Sequence, residues 1–538
     1  MVFTLHRYIF RELMKVFLLA SVALALIVTL GSILRPVQEY GVGPRQVVHF
    51  MGYFMPISLT FVLPMAALFA AALVYGRFAS DNELDACRAS GISLLTLVYP
   101  GLALAIIVAI ANLILSFHVM PVFVRRAESS LKADAKQILF RNIQQRGYYK
   151  LPPDGRYLIY ADHADPESGT LSGVVVVEVG EGAIKRIITA ESAKIDFNPH
   201  RKFNEVQITA YNIYQMGAED EGGFSAERLP LTAEFGSLLG DEIKFKKLGE
   251  MKRIRDVDLM LFNPIAKLAD EVYAQLTTEL LAQDIAAKMA DDVNGFYQLY
   301  SGEKFVKFRA GGCSVKDEKK VELSGEIVVV ESDVDSKQPL RTLRCKKALL
   351  HIEGEESTLT LTMELYSPAW RRADGTEGFA RRPRVRGLII PKSVEAVTNE
   401  FRTESSLRAV ELASDLSALQ KGPSPKLRGL QNRLDRKIRK TLAQIEAETH
   451  SRLVFGIGCV SMIMIGIALG IILRGGHLLS AFGASCVPAT MLIVCIMAGK
   501  NIAKNLGSQA ISGTVLMWAG LAFLSLFALA IYRKLLKN

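Results

Sequence analysis

The sequence predicts an integral membrane protein in which apolar helices flank a large β-rich insertion. Half of the 538 residues are hydrophobic, and the mean hydropathy is +0.24. The hydrophobic residues are concentrated at the two ends of the chain, whereas the middle third has the composition of a soluble domain. Because a membrane-spanning helix needs roughly 20 apolar residues, this distribution predicts bilayer spans at both ends and a folded domain between them.

Six apolar runs are long enough to cross a bilayer, three before the insertion and three after it. They lie near residues 14–34, 48–75, 93–120, 452–473, 477–499 and 513–532. The first run follows Arg7, Arg11 and Lys15. A basic start of this kind also precedes a signal peptide, but the apolar part of a signal peptide has only about 7–15 residues. The first run is therefore interpreted as an uncleaved anchor.

The charges that flank the spans predict their orientation. The N-terminal segment is basic, and the C-terminal segment carries Arg533, Lys534 and Lys537. Because lysine and arginine are enriched in cytoplasmic segments, both termini are expected in the cytoplasm. The turn at 76–92 is then also cytoplasmic, and residues 121–451 lie on the opposite face. A net charge of +10 suits an anionic membrane surface. The sequence shows no interleaved basic and aromatic residues that would indicate a nucleic-acid groove.

The composition divides the chain into segments of different expected structure. The β-rich segments alternate β-branched and aromatic residues with polar ones, and are bounded by Gly, Asp, Asn and Pro. The expected segments are 1–122 with three spans and a short helix at 80–91, 123–260 as a β-rich unit, 261–300 as a helical insertion, 301–400 as a second β-rich unit, 401–451 as a helical connector and 452–538 with three further spans.

An internal repeat is predicted from recurring elements in the two β-rich units. Ser172-Gly173 recurs as Ser324-Gly325, and the two strand-like segments that follow recur at nearly the same spacing. A constant spacing is the mark of a duplicated unit. Chance similarity between two antiparallel β-meanders is the alternative interpretation.

The polar turn between the second and third spans predicts a short helix at 80–91. Ser80 and Glu83 have the spacing of a capping box. Asp81 is expected in the first turn, where a negative charge is favourable. Gly91 suits the left-handed position that closes a helix. The expected helix also presents Leu84 on one face and Asp85 on another.

The acidic excess in this turn separates two interpretations. Glu83 either only caps the helix, or it belongs to a surface that docks on a basic partner. The acids outnumber Arg77 and Arg88, although a purely topological signal would be basic. Capping alone accounts for neither Asp85 nor the acidic excess, but these residues by themselves leave both interpretations open.

Six cations border the outer ends of the spans, where lipid phosphates lie. Arginine binds a phosphate with two parallel hydrogen bonds. Contact with an anionic lipid cargo is one interpretation of these cations, and snorkelling to the head groups or pairing with nearby acids is the other. The six are Arg35, Arg45, Arg125, Arg126, Lys500 and Lys504.

Catalytic and metal motifs are missing from the sequence. It contains no H-E-x-x-H, no C-x-x-C and no G-x-x-x-x-G-K-[ST] phosphate loop. No catalytic or metal-ligating residue is therefore predicted. Cys313 and Cys345 lie in the oxidising compartment if the predicted orientation is right, so a disulfide between them is an open possibility.

The end segments resemble the lipopolysaccharide-export permease family LptF/LptG. The resemblance is carried by RYIFRELMKVF (7–17), by GRFASDNELDACRASGIS (76–93) and by AETHSRLVFGIG (447–458). It covers roughly 1–215 and 400–538, and its most specific part is the central block. The family usually has a single β-jellyroll, so the second β-rich unit and the helical insertion are departures from it.

The resemblance implies a permease subunit of an ATP-binding-cassette exporter in the cell inner membrane, with the large domain in the periplasm. It implies partner ATPase subunits that bind ATP and Mg²⁺, and a second permease or a second copy of this chain. The helix at 80–91 would be the coupling helix, with Glu83 as its characteristic acid. The first β-rich unit would be a β-jellyroll that passes lipopolysaccharide or a related glycolipid to periplasmic β-jellyroll carriers.

Two other classes of function compete with this expectation. A passive, membrane-anchored lipid-binding scaffold would need no ATPase and would tolerate changes at Glu83. A membrane-embedded enzyme acting on lipid head groups would show clustered acids or histidines at one bilayer face, and the sequence has no such cluster. The exporter is the favoured interpretation.

Overall fold

The structure of the chain is given by a computed structural model. The chain divides into two units. Unit 1 comprises Met1–Met251 and Ala443–Asn538, and unit 2 comprises Lys252–Leu442. The structure describes residues 2–40, 44–133, 135–150, 157–180, 183–197, 205–217, 224–234, 242–291, 295–301, 304–317, 320–333, 339–353, 360–372, 376–379, 383–395, 422–473, 478–505 and 510–537.

The described helices are numbered in chain order. They are α1 Val2–Tyr40, α2 Pro44–Ser80, α3 Glu83–Ala89, α4 Leu94–Ile114, α5 Met120–Ala133, α6 Ala135–Arg146, α7 Leu248–Asp256, α8 Asn263–Asp291, α9 Pro425–Ile472, α10 Leu478–Asn505 and α11 Ala510–Lys537. A π-helical segment, Leu115–Val119, joins α4 to α5 without a break.

Within the described residues, six helical stretches are long and apolar enough to cross a membrane, as the sequence predicts. They lie in α1, α2, the continuous α4–α5 stretch, α9, α10 and α11. Most of these helices extend well beyond the apolar runs, because amphipathic and charged residues continue the helix where the hydropathy falls. The clearest case is α9, which has 48 residues and includes the predicted connector from Pro425 onwards.

Three of the spans pack mainly against the rest of the chain and three do not. The most apolar windows of α2, α4 and α9 are 50–61% buried, whereas those of α1, α10 and α11 are only 22–33% buried. Glycines allow the close contact of α9 with α2. A Cβ on Gly466 would lie 3.1 Å from the carbonyl oxygen of Leu68, and one on Gly470 only 2.8 Å from that of Ala72. This small-xxx-small spacing is typical of packed membrane helices.

A proline in α4 is accommodated by side chains from two neighbouring helices. Pro100 has no N–H, so the carbonyl of Thr96 lacks its helical partner. His6 of α1 contacts this carbonyl through Nε2 at 2.8 Å. Tyr75 of α2 donates to the carbonyl of Leu97 and accepts from the N–H of Gly101. The backbone is thus satisfied inside an apolar bundle, where water is not available.

The β-rich part of unit 1 is a six-stranded antiparallel sheet. Its strands pair in sequence order, and they are β1 Tyr148–Lys150, β2 Tyr157–Asp165, β3 Thr170–Gly180, β4 Ala183–Phe197, β5 Glu205–Gly217 and β6 Phe224–Glu234. One face of the sheet packs on α6 through Ile138, Leu139 and Ile143. The same core includes Ile33 of α1 and Phe50 of α2, which ties the sheet to the ends of two spans.

Unit 2 contains a nine-stranded antiparallel sheet together with α8. The strands are β7 Tyr297–Ser301, β8 Lys304–Arg309, β9 Gly312–Asp317, β10 Lys320–Asp333, β11 Pro339–Glu353, β12 Thr360–Leu365, β13 Ala369–Arg372, β14 Glu377–Phe379 and β15 Arg384–Ile389. The long strand β10 pairs with β11 along one edge, and with β8 and then β9 along the other.

The bounds of unit 2 differ from the expected segments in two places. The helical insertion was expected to reach residue 300, but α8 ends at Asp291 and β7 begins at Tyr297. Tyr297 and Leu299 are buried and alternate with exposed residues, which is the pattern of a strand with one face on the core. The part of the predicted connector at 401–421 lies outside the described residues.

The two Ser-Gly steps that motivated the predicted repeat have the same backbone conformation. Gly173 has φ +62° and Gly325 has φ +90°, both in the left-handed region. The second step also coincides with a β-bulge, since the register between β10 and β11 shifts between Ser324 and Ile327. A Cβ on Gly325 would lie 3.0 Å from the Cα of Gly311. Only glycine meets both requirements at this position.

The possible disulfide between Cys313 and Cys345 is not formed. Both cysteines are free. Cys313 pairs with Leu323 on one edge of β10, and Cys345 pairs with Ile327 on the other edge. Two strand spacings amount to about 9.6 Å, which exceeds the Cα separation of about 7 Å that a disulfide tolerates. Burial raises the pKa of the Cys313 thiol to about 11.

The α2–α9 contact predicts a position-specific response to a larger side chain. Gly470→Val should lower the free energy of unfolding by about 3 kcal/mol, because the new atoms would clash with backbone of α2. Gly52→Val is the matched control, since a Cβ at Gly52 meets nothing within 4 Å. Thermal unfolding of both variants in detergent measures the difference. Equal losses would contradict the close contact.

A buried carboxylate in unit 2 predicts a pH dependence of stability. Glu364 accepts two hydrogen bonds from Arg384 and lies 3.3 Å from His351. Burial raises the pKa of this carboxyl, but the hydrogen bonds and the charge of Arg384, together with the contact to His351, outweigh burial and hold the pKa below the ordinary value of 4.5. The pKa of Glu364 is lower in the folded state than in the unfolded chain. Its carboxylate therefore stabilises the folded state above pH 4.5, and this stabilisation is lost as the pH falls further.

Glu364→Gln tests this dependence. The variant should be about 2 kcal/mol less stable than the wild type at neutral pH, and the difference should shrink below pH 4.5. Glu377→Gln removes an exposed arginine-paired carboxylate from the same sheet and should show no such difference. Thermal unfolding of both proteins across this pH range measures the difference in stability. A difference that does not change with pH would refute the lowered pKa of Glu364.

Candidate functional site

The short helix α3 lies between α2 and α4, but it begins later than predicted. Ser80 ends α2 and donates to the carbonyl of Arg77, so it does not form the expected capping box. Asp81 and Asn82 form a turn, and Asn82 is the N-cap residue, with φ +59° and no side-chain cap. The extended backbone that a Ser N-cap requires is not available at Ser80, because α2 is still helical there. Glu83 is therefore the first residue of α3.

The C-terminal end of α3 closes as predicted. Gly91 has φ +85°, and its N–H donates to the carbonyl of Arg88. The N–H of Ile92 donates to the carbonyl of Cys87, which completes a Schellman motif. Leu84 is 5% exposed and packs in the same core as Phe78 and Leu97. The helix is thus fixed at one end and along one face.

The charged side chains of α3 and its turn divide into two groups. Asp81, Glu83 and Arg88 are exposed, and Asp85 is half-buried. Arg77 lies 3.8 Å from Glu12 of α1 and over the ring of Phe78, its neighbour on α2. Asp81 and Glu83 are therefore accessible to a partner, and their docking role stays a prediction.

A second polar site lies at the other end of α4, around Arg452 of α9. Its side chain is only 4% exposed. It donates to Glu448 Oε1 at 3.1 Å, to the carbonyl of Ser116 at 3.0 Å, and to the carbonyls of Lys244 and Lys246 at 2.7 and 3.3 Å. Arg452 therefore joins its own helix to the π-helical segment and to the segment that follows the six-stranded sheet. These contacts define the Arg452 network.

The π-helical segment explains why Ser116 has a carbonyl available. The N–H of Met120 bonds to the carbonyl of Leu115 in the wider π pattern. The next partner in that pattern would be Pro121, which has no N–H. The carbonyl of Ser116 therefore has no partner within its own helix, and the guanidinium of Arg452 supplies one.

Two of the predicted cargo cations form ion pairs with acids, as the alternative interpretation expects. Lys500 of α10 lies 2.8 Å from Glu448 Oε2, so Glu448 is paired with both a lysine and an arginine. Arg125 of α5 lies 2.6 Å from Glu250, whose other oxygen accepts from the N–H of Lys247. Glu448 is buried and needs such compensation, whereas Glu250 is 33% exposed.

The remaining predicted cations are less constrained or lie outside the description. Arg126 is exposed and lies over the ring of Phe123, and Lys504 is exposed. The backbone at Arg35 and Arg45 is helical, but their side chains lie outside the described residues. Of the six, Arg126 and Lys504 are thus the cations seen with the most freedom to bind a phosphate.

An apolar cavity of about 280 Å³ opens among α1, α2, α9 and α10. Its lining includes Val28, Phe61, Met65, Phe455 and Met497, and none of its lining residues is charged. Such a cavity suits a hydrocarbon chain, because it offers dispersion contacts and no hydrogen-bond partner. No group of three or more His, Cys, Asp or Glu positioned to hold a metal ion occurs in the described part of the chain.

The Arg452 network was missed by the sequence analysis. Glu448 and Arg452 are spaced i, i+4 at the start of an apolar run, which is the one signal that could have revealed them. The partners could not be found from the sequence, because they are backbone carbonyls more than 200 residues away.

The fold and these two sites define a multi-pass membrane protein with a β-rich insertion between its spans. A family model described as "Lipopolysaccharide export system permease LptF/LptG" matches residues 7–274 and 389–534. The chain belongs to this family of transport permeases. A comparison with curated proteins found no match. Residues 275–388, which include β7–β14, are not covered by the family model.

The Arg452 network predicts a large cost for removing its centre. Arg452→Met should lower the free energy of unfolding by about 3–5 kcal/mol, because Glu448 and several carbonyls would lose a buried partner. Arg439→Met is the matched control, since Arg439 pairs with Asp435 at the same i, i+4 spacing on the same helix but is 70% exposed. Its cost should be below about 0.5 kcal/mol. Thermal unfolding in detergent compares them, and similar losses would disprove the structural role of the network.

Proposed function

We propose that the chain is the permease subunit of an ATP-binding-cassette exporter in the cell inner membrane. It extracts lipopolysaccharide or a related glycolipid from the outer leaflet and passes it to periplasmic β-jellyroll carriers. The observation that carries the proposal is α3, a fixed helix with an exposed acidic surface, in a chain of the LptF/LptG family. ATP and Mg²⁺ would bind to a separate ATPase subunit.

The geometry of α3 supports a role in coupling. Leu84 and the Schellman motif fix the helix to α2 and α4, so a force on α3 acts on the two spans directly. Asp81 and Glu83 point to solvent, where a basic groove of an ATPase would complement them. Both chain termini and α3 would lie in the cytoplasm, and the large insertion in the periplasm.

The position of the Arg452 network supports transmission to the other side of the membrane. From Leu94 to Ser116 the α4 helix rises by roughly 33 Å, which is close to the hydrocarbon thickness of about 30 Å. A displacement of α4 by α3 would therefore reach Arg452 at the opposite bilayer face. There the same guanidinium holds the segment that follows the six-stranded sheet, the sheet proposed to receive the cargo as a β-jellyroll.

The apolar cavity and the poorly buried spans support the lipid cargo and a second subunit. The cavity is lined in part by α1 and α10, the first and fifth spans. These two spans and α11 leave most of their apolar surface without a partner in the chain. A second LptF/LptG-like permease, or a second copy of this chain, would complete a lateral opening for acyl chains at these helices.

Charge reversal on α3 tests the proposal. Purification of the tagged protein from its native membrane, followed by mass spectrometry, should recover an ABC ATPase with the wild type. Glu83→Arg should reduce the recovery at least tenfold, because repulsion replaces attraction at a basic groove. Glu167→Arg, which reverses an exposed charge in the turn between β2 and β3, should leave the recovery unchanged.

One outcome would count against the exporter function, and another would count against the role of Glu83 alone. A stable wild-type protein that recovers no ATPase would indicate the passive lipid-binding scaffold. Recovery that is equal for Glu83→Arg and the wild type would keep the exporter and remove Glu83 from its docking surface.

A further inference from the structure

One face of the nine-stranded sheet has an unusual composition for a solvent-exposed surface. Along β10, Ile327 and Val329 are fully buried, while Val328 and Val330 point to the opposite face and are half-exposed. The neighbouring strands continue this alternation, so the residues paired with Val328 and Val330 share the exposed face.

The strand pairing places cations in rows across this face. Val328 lies between Arg309 of β8 and Arg344 of β11. Val330 lies between Lys307 of β8 and Thr342 of β11, and Thr342 is paired in turn with Arg371 of β13. Lys346 follows Arg344 on the same side of β11. We call the surface formed by Lys307, Arg309, Arg344, Lys346 and Arg371 the basic face.

The charge of the basic face is largely uncompensated. Arg371 lies 3.1 Å from Glu377, the acid paired with it on β14. Arg309, Arg344 and Lys346 are exposed and form no ion pair with any other residue that the structure describes. Exposed arginines and lysines in a row repel one another, so an anionic partner would relieve a cost that the fold otherwise carries.

Aromatic side chains border the cations on the same face. Phe379 of β14 is paired with Ala369 in the Arg344 row and is 86% exposed. Tyr300 of β7 is 54% exposed and lies against Phe305. The ammonium of Lys307 lies 5.3 Å from the centre of the Phe305 ring. Exposed aromatic rings beside lysine and arginine are typical of surfaces at the membrane–water interface.

We propose that the basic face docks on an anionic lipid surface. The cations would contact lipid phosphates, and Phe379 and Tyr300 would enter the interfacial layer. An extended array of charges on a sheet suits a lipid surface better than one small anion, which needs a concave site. The chain is anchored in a bilayer by its spans, so lipid is always present at high effective concentration. The proposal does not depend on the exporter function.

Vesicle binding tests the proposal with the full chain. The protein, reconstituted in phosphatidylcholine nanodiscs, is mixed with vesicles of equimolar phosphatidylglycerol and phosphatidylcholine and separated by flotation. The wild type should float with these vesicles and not with pure phosphatidylcholine. The triple variant Arg309→Gln, Arg344→Gln, Arg371→Gln should bind about 100-fold more weakly, since each basic residue contributes about fivefold. The single variant Arg344→Gln should lose about fivefold and serves if the triple variant does not fold.

A matched variant separates the basic face from the overall positive charge. Arg428→Gln, Arg433→Gln, Arg436→Gln removes three exposed charges from α9 and should bind as the wild type does. An equal loss in this control would overturn the proposal. So would a wild type that ignores anionic vesicles, or one that binds soluble heparin in their place, which would assign the face to an acidic polymer. Displacement by inorganic phosphate at constant ionic strength would overturn it as well, in favour of a free-phosphate site.

Discussion

The contact on which the rest of unit 1 depends is the buried pair of Glu448 and Arg452. Two charges taken out of water are stable only if every remaining hydrogen-bonding group finds a partner. Here the partners come from α10, from the π-helical segment and from the segment that follows the six-stranded sheet. The need to satisfy this ion pair thus fixes the positions of its neighbours relative to α9. These neighbours are α10, the π-helical segment and the segment that follows the six-stranded sheet.

The same principle governs the other irregular points of the bundle. Pro100 leaves one carbonyl of α4 without its partner, and Pro121 leaves one carbonyl of the π-helical segment without its partner. Polar side chains from other helices contact both. In water such defects would be solvated, but in a bilayer they must be satisfied by protein. Each proline therefore requires a polar neighbour beside it. His6 contacts the carbonyl that Pro100 leaves unpaired, and Arg452 contacts the one that Pro121 leaves unpaired.

The sequence predicted the elements whose information is local. The apolar length of the six spans, the β-rich insertion and the left-handed Gly91 follow from residues close together in the chain. The capping box at Ser80 was wrong, because α2 continues through a position whose local pattern suggests a start. The Arg452 network and the separation of Cys313 from Cys345 could not be predicted, since both depend on pairings between distant segments.

The uneven burial of the spans has a consequence for how the protein is made. Helices α1, α10 and α11 are sufficiently apolar to insert into a bilayer, yet only 22–33% of the most apolar window of each is buried. A newly made copy would therefore enter the bilayer with most of the apolar surface of these helices facing lipid. In the pairing that we propose, the supply of the two subunits has to be balanced, because a surplus of either would accumulate as an unassembled subunit and become a substrate for membrane quality control.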